Sequence, residues 1–360
     1  MVQAIQAAGG WIGFDDFMAQ ALYTPGLGYY ANDLRKLGLM PGSGSDFATA
    51  PEITPLFGRA LAYQINQALQ QTQTREVWEF GAGSGALALQ LLGVLGDQVE
   101  RYTIVDLSGA LRARQQQTLS RFGDQVRWVS VLPAAMRGVV LGNEVLDAMP
   151  VKLLARVGGV WHERGVAALT PALSPRERGA GGQFVWQDRP TDLRPPIEIE
   201  GPHDYLSEIH PQAQAFVRTL ADHLVQGAAF FIDYGFPEAE YYHPQRHMGT
   251  VMCHRGHQSD PEPLRDVGLK DITAHVNFTG MALAAQAAGL QVLGYCSQAR
   301  FLINCGLPGL MDQASLPERA QASKLVMEHE MGELFKVIGF FKGEPWDAIG
   351  FAAGDRTHTL

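Results

Sequence analysis

Three closely spaced glycines stand between an apolar segment and a leucine-rich segment in the stretch EFGAGSGALALQLL. Because glycine lacks a Cβ, Gly81, Gly83 and Gly85 let the backbone amides at a helix start come close to a ligand. The same residues satisfy the loose dinucleotide pattern G-x-G-x-x-G/A. The stretch therefore predicts a nucleotide-containing ligand, and a glycine-rich turn that binds nothing remains the alternative.

Two carboxylates near the glycines bear on which nucleotide this is. Asp106 ends the next predicted strand, 21 residues after Gly85, where it can accept both ribose hydroxyls, although NAD enzymes make the same contact. Glu79 stands two residues before Gly81, and a carboxylate there suits an ammonium group better than a pyrophosphate. An ammonium, a sulfonium and a ribose occur together in S-adenosylmethionine. The sequence favours this cofactor and leaves NAD as the second choice.

The segment GSDFATAPE, residues 44–52, carries two more carboxylates, Asp46 and Glu52. Pro51 disfavours a helix across this segment and biases the preceding residue toward an extended backbone, so we expect a rigid, extended loop. Two predicted amphipathic helices flank the loop, one over residues 14–22 and one that begins at Thr54-Pro55. A solvated linker, in which the two carboxylates only cap helices, is the alternative.

A stretch rich in histidine raises the question of a metal site. Cys253, His254 and His257 occur in MCHRGH, with His243 and His247 nearby. Their spacing matches no closed zinc site, so we expect no metal.

The composition argues against several classes of protein. The chain has 28 lysines and arginines against 37 aspartates and glutamates, a net charge of −9, which argues against a general nucleic-acid binder. Its 3 cysteines form no C-x-x-C pair, which is typical of reduced thiols in a cytosol-like compartment. No apolar run approaches the roughly 18 residues of a membrane span, and the N-terminus has neither a signal-peptide nor a transit-peptide pattern. We therefore expect a cytoplasmic protein without a membrane span.

Alternating strands and helices must position the candidate residues. The predicted strands read EVWEF, YTIV, QVRWV, GVVLGNEV, AAFFIDYG, LQVLGYC and ELFKVIGFF. This alternation predicts an α/β fold with a doubly wound, mostly parallel, Rossmann-like sheet. Ligands of such sheets bind outside the carboxyl ends of the strands, which here carry Glu79, Asp106, Asn143-Glu144 and Asp233-Tyr234.

The same pass along the chain predicts its organisation. We expect an N-terminal helical extension over residues 1–74, a main domain over 75–345 and a frayed, flexible tail over 346–360. Accessory insertions are expected at about 151–210 and 236–280. Residues 169–183 are rich in Pro, Gly and Arg and separate two strand-like pieces, which predicts a mobile surface insertion.

In this order the motifs resemble the MidA-type family of S-adenosylmethionine-dependent methyltransferases, which includes the mitochondrial complex I assembly-factor arginine methyltransferase and bacterial relatives. The resemblance runs from Trp11 to about Gly343 and is carried by FDDFMAQALYTPGLGYY, SDFATAPEITPLFG, EFGAGSGALA, NEVLDAMPV, FFIDYG, DITAHVNF, QARFLINCGL and MGELFKVIGFFKG. Two positions depart from the family: Ser45 replaces the usual glycine, and Asp106 stands where glutamate is common. The proline-rich insertion is also foreign to the family pattern.

The resemblance implies a class I methyltransferase fold in which the acidic loop packs over the mouth of the cofactor site. His275 and Asn277, in DITAHVNF, would form a wall of the acceptor pocket. Beside Glu79, Asp106 and the glycines, the cofactor-binding residues that it implies are Thr49, Pro51, Leu107, Ser108 and Asn143.

An arginine acceptor would need acidic groups, because guanidinium is charged at neutral pH and forms paired hydrogen bonds with carboxylates. NEVLDAMP places Glu144 and Asp147 just beyond the carboxyl end of a predicted strand. A helix cap for Asp147 and a loop hydrogen bond for Asn143 are the alternatives. Asp233 is interpreted as structural. The expected catalytic residues are Glu144, Asp147, Glu52 and Asp46.

The resemblance further implies methylation of an arginine in a protein substrate, with a respiratory-complex subunit as a candidate substrate. No nucleic-acid partner is expected, and a homodimer is compatible with the sequence. Two other functions stay open: a non-catalytic assembly or binding protein on the same fold, and an NAD-linked oxidoreductase.

Deleting residues 170–182 is expected to leave the melting temperature and the cofactor affinity nearly unchanged. A polar, aperiodic loop buries little surface, and changing loop length has a small entropic cost. Thermal unfolding and calorimetric titration with S-adenosylhomocysteine measure the two quantities. A large loss of stability would show instead that this segment packs against the core.

Overall fold

The structure is a computed structural model of the chain, and it describes residues 1–32, 49–106, 108–169 and 184–360. Leu107 and the segments 33–48 and 170–183 lie outside the described residues. The predictions for Asp46, for Leu107 and for nearly all of the proline-rich insertion fall on these positions.

The strands are β1 (Trp11–Gly13), β2 (Glu76–Phe80), β3 (Arg101–Val105), β4 (Val126–Val129), β5 (Met136–Asn143), β6 (Lys152–Val157), β7 (Val160–Ala168), β8 (Phe184–Pro190), β9 (Tyr205–Ile209), β10 (Leu224–Phe236), β11 (Met252–Arg255), β12 (Gln258–Asp260), β13 (Asp271–Thr273), β14 (Val276–Asn277), β15 (Gln291–Ser297) and β16 (Phe335–Lys342). The helices are α1 (Val2–Ala7), α2 (Phe14–Tyr23), α3 (Ala50–Ile53), α4 (Leu56–Thr72), α5 (Ala86–Leu95), α6 (Gly109–Thr118), α7 (Pro211–His223), α8 (Glu238–Tyr241), α9 (Phe278–Ala287), α10 (Gln298–Asn304), α11 (Leu307–Asp312) and α12 (Leu316–Lys324).

The main sheet has the strand order β15-β16-β10-β5-β2-β3-β4, with the short strand β14 paired to the end of β10. The strands from β10 to β4 run parallel to their neighbours, whereas β16 is antiparallel to both β10 and β15. Helices α4, α5 and α10 to α12 share one apolar core with the sheet, and α7 and α9 share another. The prediction of a doubly wound, mostly parallel sheet is confirmed. The parallel strands therefore end at one common edge.

The N-terminal part contains both predicted helices, as α2 and α4, together with a strand, β1, that the sequence did not predict. All five residues of the predicted apolar stripe on α2 are buried: Phe14, Phe17, Met18, Ala21 and Leu22. Strand β1, however, joins a second, antiparallel sheet of order β1-β7-β6-β9, in which β8 pairs with β7. A third sheet, β12-β11-β13, lies in the second predicted insertion. The main-chain hydrogen bonds between β1 and β7 therefore tie the N-terminal part of the chain to this second sheet.

The acidic loop is not extended at its end, because residues 50–53 form the short helix α3. Pro51 lies in the first turn of this helix, where a missing N–H breaks no intrahelical hydrogen bond. Thr54 then separates α3 from α4, and its Oγ1 accepts a hydrogen bond from Leu56 N at 3.3 Å.

No helix in the described ranges is long and apolar enough to span a bilayer.

The expectation of a frayed tail over residues 346–360 is wrong. Phe351 is 7% exposed, and its ring contacts that of Phe301 at a centroid distance of 5.3 Å. Gly294 and Gly339 lie directly against the Phe351 ring, so a Cβ on either glycine would clash with it. A hydrogen bond also holds the tail to β15, because Asp355 Oδ1 accepts from Tyr295 N at 3.0 Å. An aromatic ring seated on two strands orders the tail.

Replacing Phe351 with alanine is expected to lower the free energy of unfolding by about 3–5 kcal/mol, because it leaves a cavity against β15 and β16. Urea unfolding measures the loss. His358→Ala, an exposed substitution in the same tail, is the control and should change little. Equal, small effects of both substitutions would show that the tail does not pack on the sheet.

Candidate active site

A cavity of about 1120 Å³ opens at the common edge where β2, β3, β5 and β10 end. Side chains from the main sheet, from α2 and α3 and from the third sheet line it. Its volume exceeds the usual range for one small ligand, about 300–1,000 Å³, so it has room for a cofactor and for part of a second reactant.

The glycine loop between β2 and α5 forms one wall of this cavity. Gly81, Gly83 and Gly85 have φ of 62°, 55° and 84°, all in the left-handed region that favours glycine. A Cβ on Gly81 would also meet Val145 Cγ2 at 3.0 Å. Gly81 and Gly83 line the cavity, whereas Gly85 is the N-cap residue of α5. Ala82 and Ser84 line the cavity as well, and the glycines beside them let the loop backbone come close to it.

Glu79 lines the cavity just before these glycines and is 2% exposed. Tyr102 donates its hydroxyl to Glu79 Oε2 at 2.7 Å. Burial raises the pKa of Glu79 to about 7, although the hydrogen bond from Tyr102 lowers it; nearby Asp106 adds to the rise. A cation beside Glu79 would lower this pKa and favour the carboxylate.

Asp106 also lines the cavity, as predicted for a residue at the end of β3. Its Oδ1 accepts from Ser108 N at 2.8 Å, and its Oδ2 accepts from Gln115 Nε2 at 2.7 Å. Ser108 lines the cavity too and caps α6 through Leu111 N. One donor on each oxygen fixes the orientation of the Asp106 carboxylate.

Helix α3 lies against the glycine loop. Glu52 accepts a hydrogen bond from Ser84 Oγ, and Gln90 Nε2 donates to Pro51 O at 2.8 Å. Thr49, Pro51 and Glu52 all line the cavity. The described part of the acidic segment is thus a wall of the cavity and not a solvated linker.

The residues of NEVLDAMP form the acidic side of the cavity. Glu144 adopts φ 55°, which is strained for a residue with a Cβ, and its Oε1 accepts from Asn143 Nδ2 at 3.1 Å. Burial raises the pKa of Glu144 to about 8, and repulsion from Asp147 adds to the rise, whereas hydrogen bonds from Asn143 and from the backbone of Ala50 lower it. Glu144 is therefore largely protonated at neutral pH in the absence of a cation.

Asp147 is 5% exposed and has its two oxygens in different environments. Oδ2 accepts from Tyr234 OH at 2.5 Å, whereas Oδ1 is buried and has no hydrogen-bond partner within the described part of the chain. Burial raises the pKa of Asp147 to about 6, against the lowering effect of the Tyr234 hydroxyl. The Asn143 Oδ1 atom is likewise unpaired among the described residues. Both residues line the cavity.

Asp233 has the structural role predicted for it. Its Oδ2 accepts hydrogen bonds from the backbone N–H groups of Val145, Leu146 and Asp147 at 2.9–3.2 Å. These bonds hold the turn that follows β5.

The two residues expected in the acceptor wall are placed differently. His275 lines the cavity, and burial lowers its pKa to about 4, so its imidazole is neutral at pH 7. Asn277 is not among the described residues that line the cavity; it caps α9 by accepting from Gly280 N at 3.0 Å. The segment DITAHVNF contains two short strands, β13 and β14, and its residues Asp271, Thr273 and His275 line the cavity.

The histidine-rich stretch also has a defined placement. His254 lines the cavity, and Cys253 is buried in β11. Across the ranges that the structure describes, no group of three or more His, Cys, Asp or Glu side chains is placed to hold a metal ion.

Several residues of the site carried no signal in the sequence. Tyr23 and Tyr30 line the cavity with stacked rings, at a centroid distance of 5.7 Å. Tyr30 OH donates to Asp271 Oδ2 at 2.8 Å across 241 positions of the chain. Gln115 braces Asp106, although it lies in a run of three glutamines with no distinguishing pattern. Only the tertiary contacts identify these residues.

A family model for S-adenosyl-L-methionine-dependent methyltransferases matches residues 60–296. The protein arginine methyltransferase NDUFAF7, mitochondrial, of Danio rerio is 29% identical over 91% of this chain and 83% of its own length. The Homo sapiens protein of the same name is 27% identical over 89% of this chain and 78% of its own length.

Two crystal structures from Burkholderia thailandensis are similar over the whole chain. One, of a candidate methyl transferase bound to S-adenosyl-homocysteine, has a TM-score of 0.92 at 46% identity and covers 100% of this chain and 95% of that one. The other, a native structure, has a TM-score of 0.87 at 45% identity with the same coverage. Because the family model covers more than half of the chain, the chain belongs to the MidA-type family of S-adenosyl-L-methionine-dependent methyltransferases.

Proposed function

We propose that this methyltransferase transfers a methyl group to the guanidinium of an arginine in a protein substrate. The observation that carries the proposal is a pair of acidic side chains that line the cavity, Glu144 and the buried Asp147. Two relatives that match most of the chain are named protein arginine methyltransferases, which supports the same acceptor.

The acidic side of the cavity suits a planar cation. A buried carboxylate is costly unless a cation or several donors compensate it, and guanidinium supplies five N–H donors in one plane. Asp147 Oδ1 and Asn143 Oδ1 are unpaired acceptors within the described residues, and Glu144 lies between them in sequence. Bound guanidinium would favour the charged forms of Asp147 and Glu144.

The reaction needs alignment and a proton acceptor. S-adenosylmethionine supplies an electrophilic methyl group on a positively charged sulfur. The acceptor nitrogen forms a bond to the methyl carbon as the carbon–sulfur bond breaks, and the nitrogen then releases one proton. Glu144 suits this proton because the bound guanidinium favours its carboxylate form, while burial keeps that carboxylate more basic than an exposed one. Tyr234 fixes the Asp147 carboxyl group, which would attract and orient the guanidinium.

The residues on the other side of the cavity fit the cofactor. We propose that Glu79 binds its ammonium group, that Asp106 binds its ribose hydroxyls and that the amides of the Gly81–Gly85 loop contact its amino-acid part. Both carboxylates are buried or fixed by hydrogen bonds, which matches a cation and a diol more closely than a pyrophosphate. Ser108, Thr49 and Pro51 would complete the walls of this half.

We also propose a reducing compartment, the bacterial cytoplasm, for this protein. Its three cysteines are all free and buried, in keeping with a site of action where thiols stay reduced. We propose separately that the protein forms a homodimer, and light scattering would measure its oligomeric state.

Replacing Glu144 with glutamine is expected to lower methyl transfer at least about 100-fold, because the proton acceptor is lost. Transfer from labelled S-adenosylmethionine to protein acceptors of a bacterial extract measures activity, and mass spectrometry locates the methyl group. The exposed substitution Glu344→Gln is the control. Methyl groups on residues other than arginine, or none with wild type, would contradict the proposal.

The same Glu144→Gln variant is expected to be more stable than wild type at pH 9. The native Glu144 carboxyl keeps its proton between the ordinary pKa of 4.5 and about 8, where the unfolded chain has lost it. The native state then binds more protons, so its stability falls as pH rises through this window. The difference in melting temperature between the Glu144→Gln variant and wild type should vanish near pH 4.

Replacing Glu52 with glutamine, or Asp46 with asparagine, is expected to reduce methyl transfer about tenfold or more while stability changes by less than about 1 kcal/mol. Each change keeps the size of the side chain and removes a charge that would face the sulfonium or the guanidinium. Single-turnover transfer and thermal unfolding separate the two effects. Full activity with reduced stability would give these carboxylates a capping role only.

A further inference from the structure

Helix α6 packs beside the glycine loop and presents a buried amide to it. Of the three consecutive glutamines 115–117, only Gln115 is fully buried. Its Nε2 donates to Gly83 O at 3.0 Å and to Asp106 Oδ2 at 2.7 Å. Its Oε1 accepts from Trp128 Nε1, on β4, at 2.9 Å. Three separate elements of the fold therefore meet at one side chain.

These contacts determine which way the amide faces. A glutamine amide has two N–H donors and one carbonyl acceptor, and here each has a partner. Rotating the amide by 180° would place N–H against the Trp128 N–H and the carbonyl oxygen against Gly83 O and Asp106 Oδ2. Such an arrangement would leave three repulsive contacts in a buried site, so a single orientation is strongly preferred.

The consequence for the cavity is geometric. Gly83 lines the cavity, and its carbonyl is turned toward α6 by Gln115. In a trans peptide unit the following N–H is antiparallel to the carbonyl, so the N–H of Ser84 points away from α6. The Asp106 carboxylate is held at the same time, because its other oxygen accepts from Ser108 N. The amide thus sets the glycine loop and Asp106 relative to each other.

We infer that Gln115 is a positioning residue for the cofactor: it couples the glycine loop to Asp106, and so sets both the affinity for S-adenosylhomocysteine and the discrimination in favour of ribose over deoxyribose. The second part rests on the proposed contact of Asp106 with the ribose hydroxyls. Gln115 does not itself line the cavity among the described residues, so it acts through its partners.

A neighbouring side chain on the same helix provides a matched control. Thr118 Oγ1 donates to Ser84 O at 2.9 Å and so also ties α6 to the glycine loop. Its other hydrogen bond, to Arg114 O at 3.1 Å, lies within α6. Thr118→Val removes a loop contact of similar kind while it leaves the link to the carboxylate in place.

The test uses the full chain and calorimetric titration with S-adenosylhomocysteine, adenosine and 2′-deoxyadenosine. Gln115→Met keeps the volume of the side chain and removes all three hydrogen bonds. We expect it to weaken S-adenosylhomocysteine binding about tenfold or more, because the carboxylate and the loop lose their common partner. We also expect the ratio of the adenosine and 2′-deoxyadenosine affinities to fall toward one, whereas Thr118→Val keeps that ratio.

Trp128→Phe provides a second variant in case Gln115→Met folds poorly. It frees only the carbonyl side of the amide, so it should lower the ratio in the same direction by a smaller factor. Melting temperatures of all variants report folding. Wild-type affinity and an unchanged ratio in Gln115→Met would overturn the inference, as would an equal fall of the ratio in Thr118→Val. If wild type itself binds both nucleosides equally, the role of Asp106 fails, and with it the coupling to ribose.

Discussion

The carboxylate of Asp233 holds the turn on which the acceptor side of the cavity depends. It accepts three backbone N–H groups of residues 145–147, and Glu144 N donates to Ile232 O at 2.8 Å just before them. Together these bonds extend the pairing of β5 and β10 beyond the last residue of β5. Because hydrogen bonds to Asp233 Oδ2 and to Ile232 O fix this turn, Glu144 keeps its left-handed conformation despite the strain. The position of the Glu144 and Asp147 carboxylates is a consequence of this arrangement.

Burial of acidic groups is the main electrostatic feature of the cavity. The pKa of Glu79 rises to about 7, that of Asp147 to about 6 and that of Glu144 to about 8, in each case chiefly through desolvation. Carboxyl groups in such surroundings lower the stability of the free protein at neutral and alkaline pH. Cationic ligands reverse this effect, since they favour the ionised forms. A cation bound there, as proposed, would make interactions that the free protein lacks, whereas the buried carboxyl groups lower the stability of the free protein.

Accessory elements complete the cavity that the main sheet begins. Helix α3 is fixed to α5 by Gln90, which donates to Pro51 O and whose Oε1 accepts from Gly58 N of α4 at 3.0 Å. The third sheet is tied to the turn after β5, because Ala274 N donates to Asp147 O at 2.9 Å. Tyr23 OH adds a bond to Ala148 O at 2.8 Å. The walls that face an acceptor are thus attached to the same turn that carries the acidic residues.

The sequence by itself determined the alternation of strands and helices, the glycine loop and the carboxylates at the strand ends. These features depend on local causes: apolar periodicity, positive φ at Gly81, Gly83 and Gly85, and the place of a residue after a strand. What the tertiary structure decided is which distant residues meet. Gln115 could not be told from its neighbours Gln116 and Gln117, because its burial depends on Trp128 and Asp106.

The dependence on contacts between distant residues also explains why the predictions for the tail and for α3 were wrong. The tail was expected to fray because it has no periodic pattern, yet Phe351 finds a flat apolar surface over Gly294 and Gly339. Helix α3 was missed because proline is restrictive in a helix interior and is tolerated in a first turn, and only the packing against α5 shows which case applies. The local sequence limits the conformations that a segment can adopt. The contacts between distant residues then select one of these conformations and so decide which residues form the site.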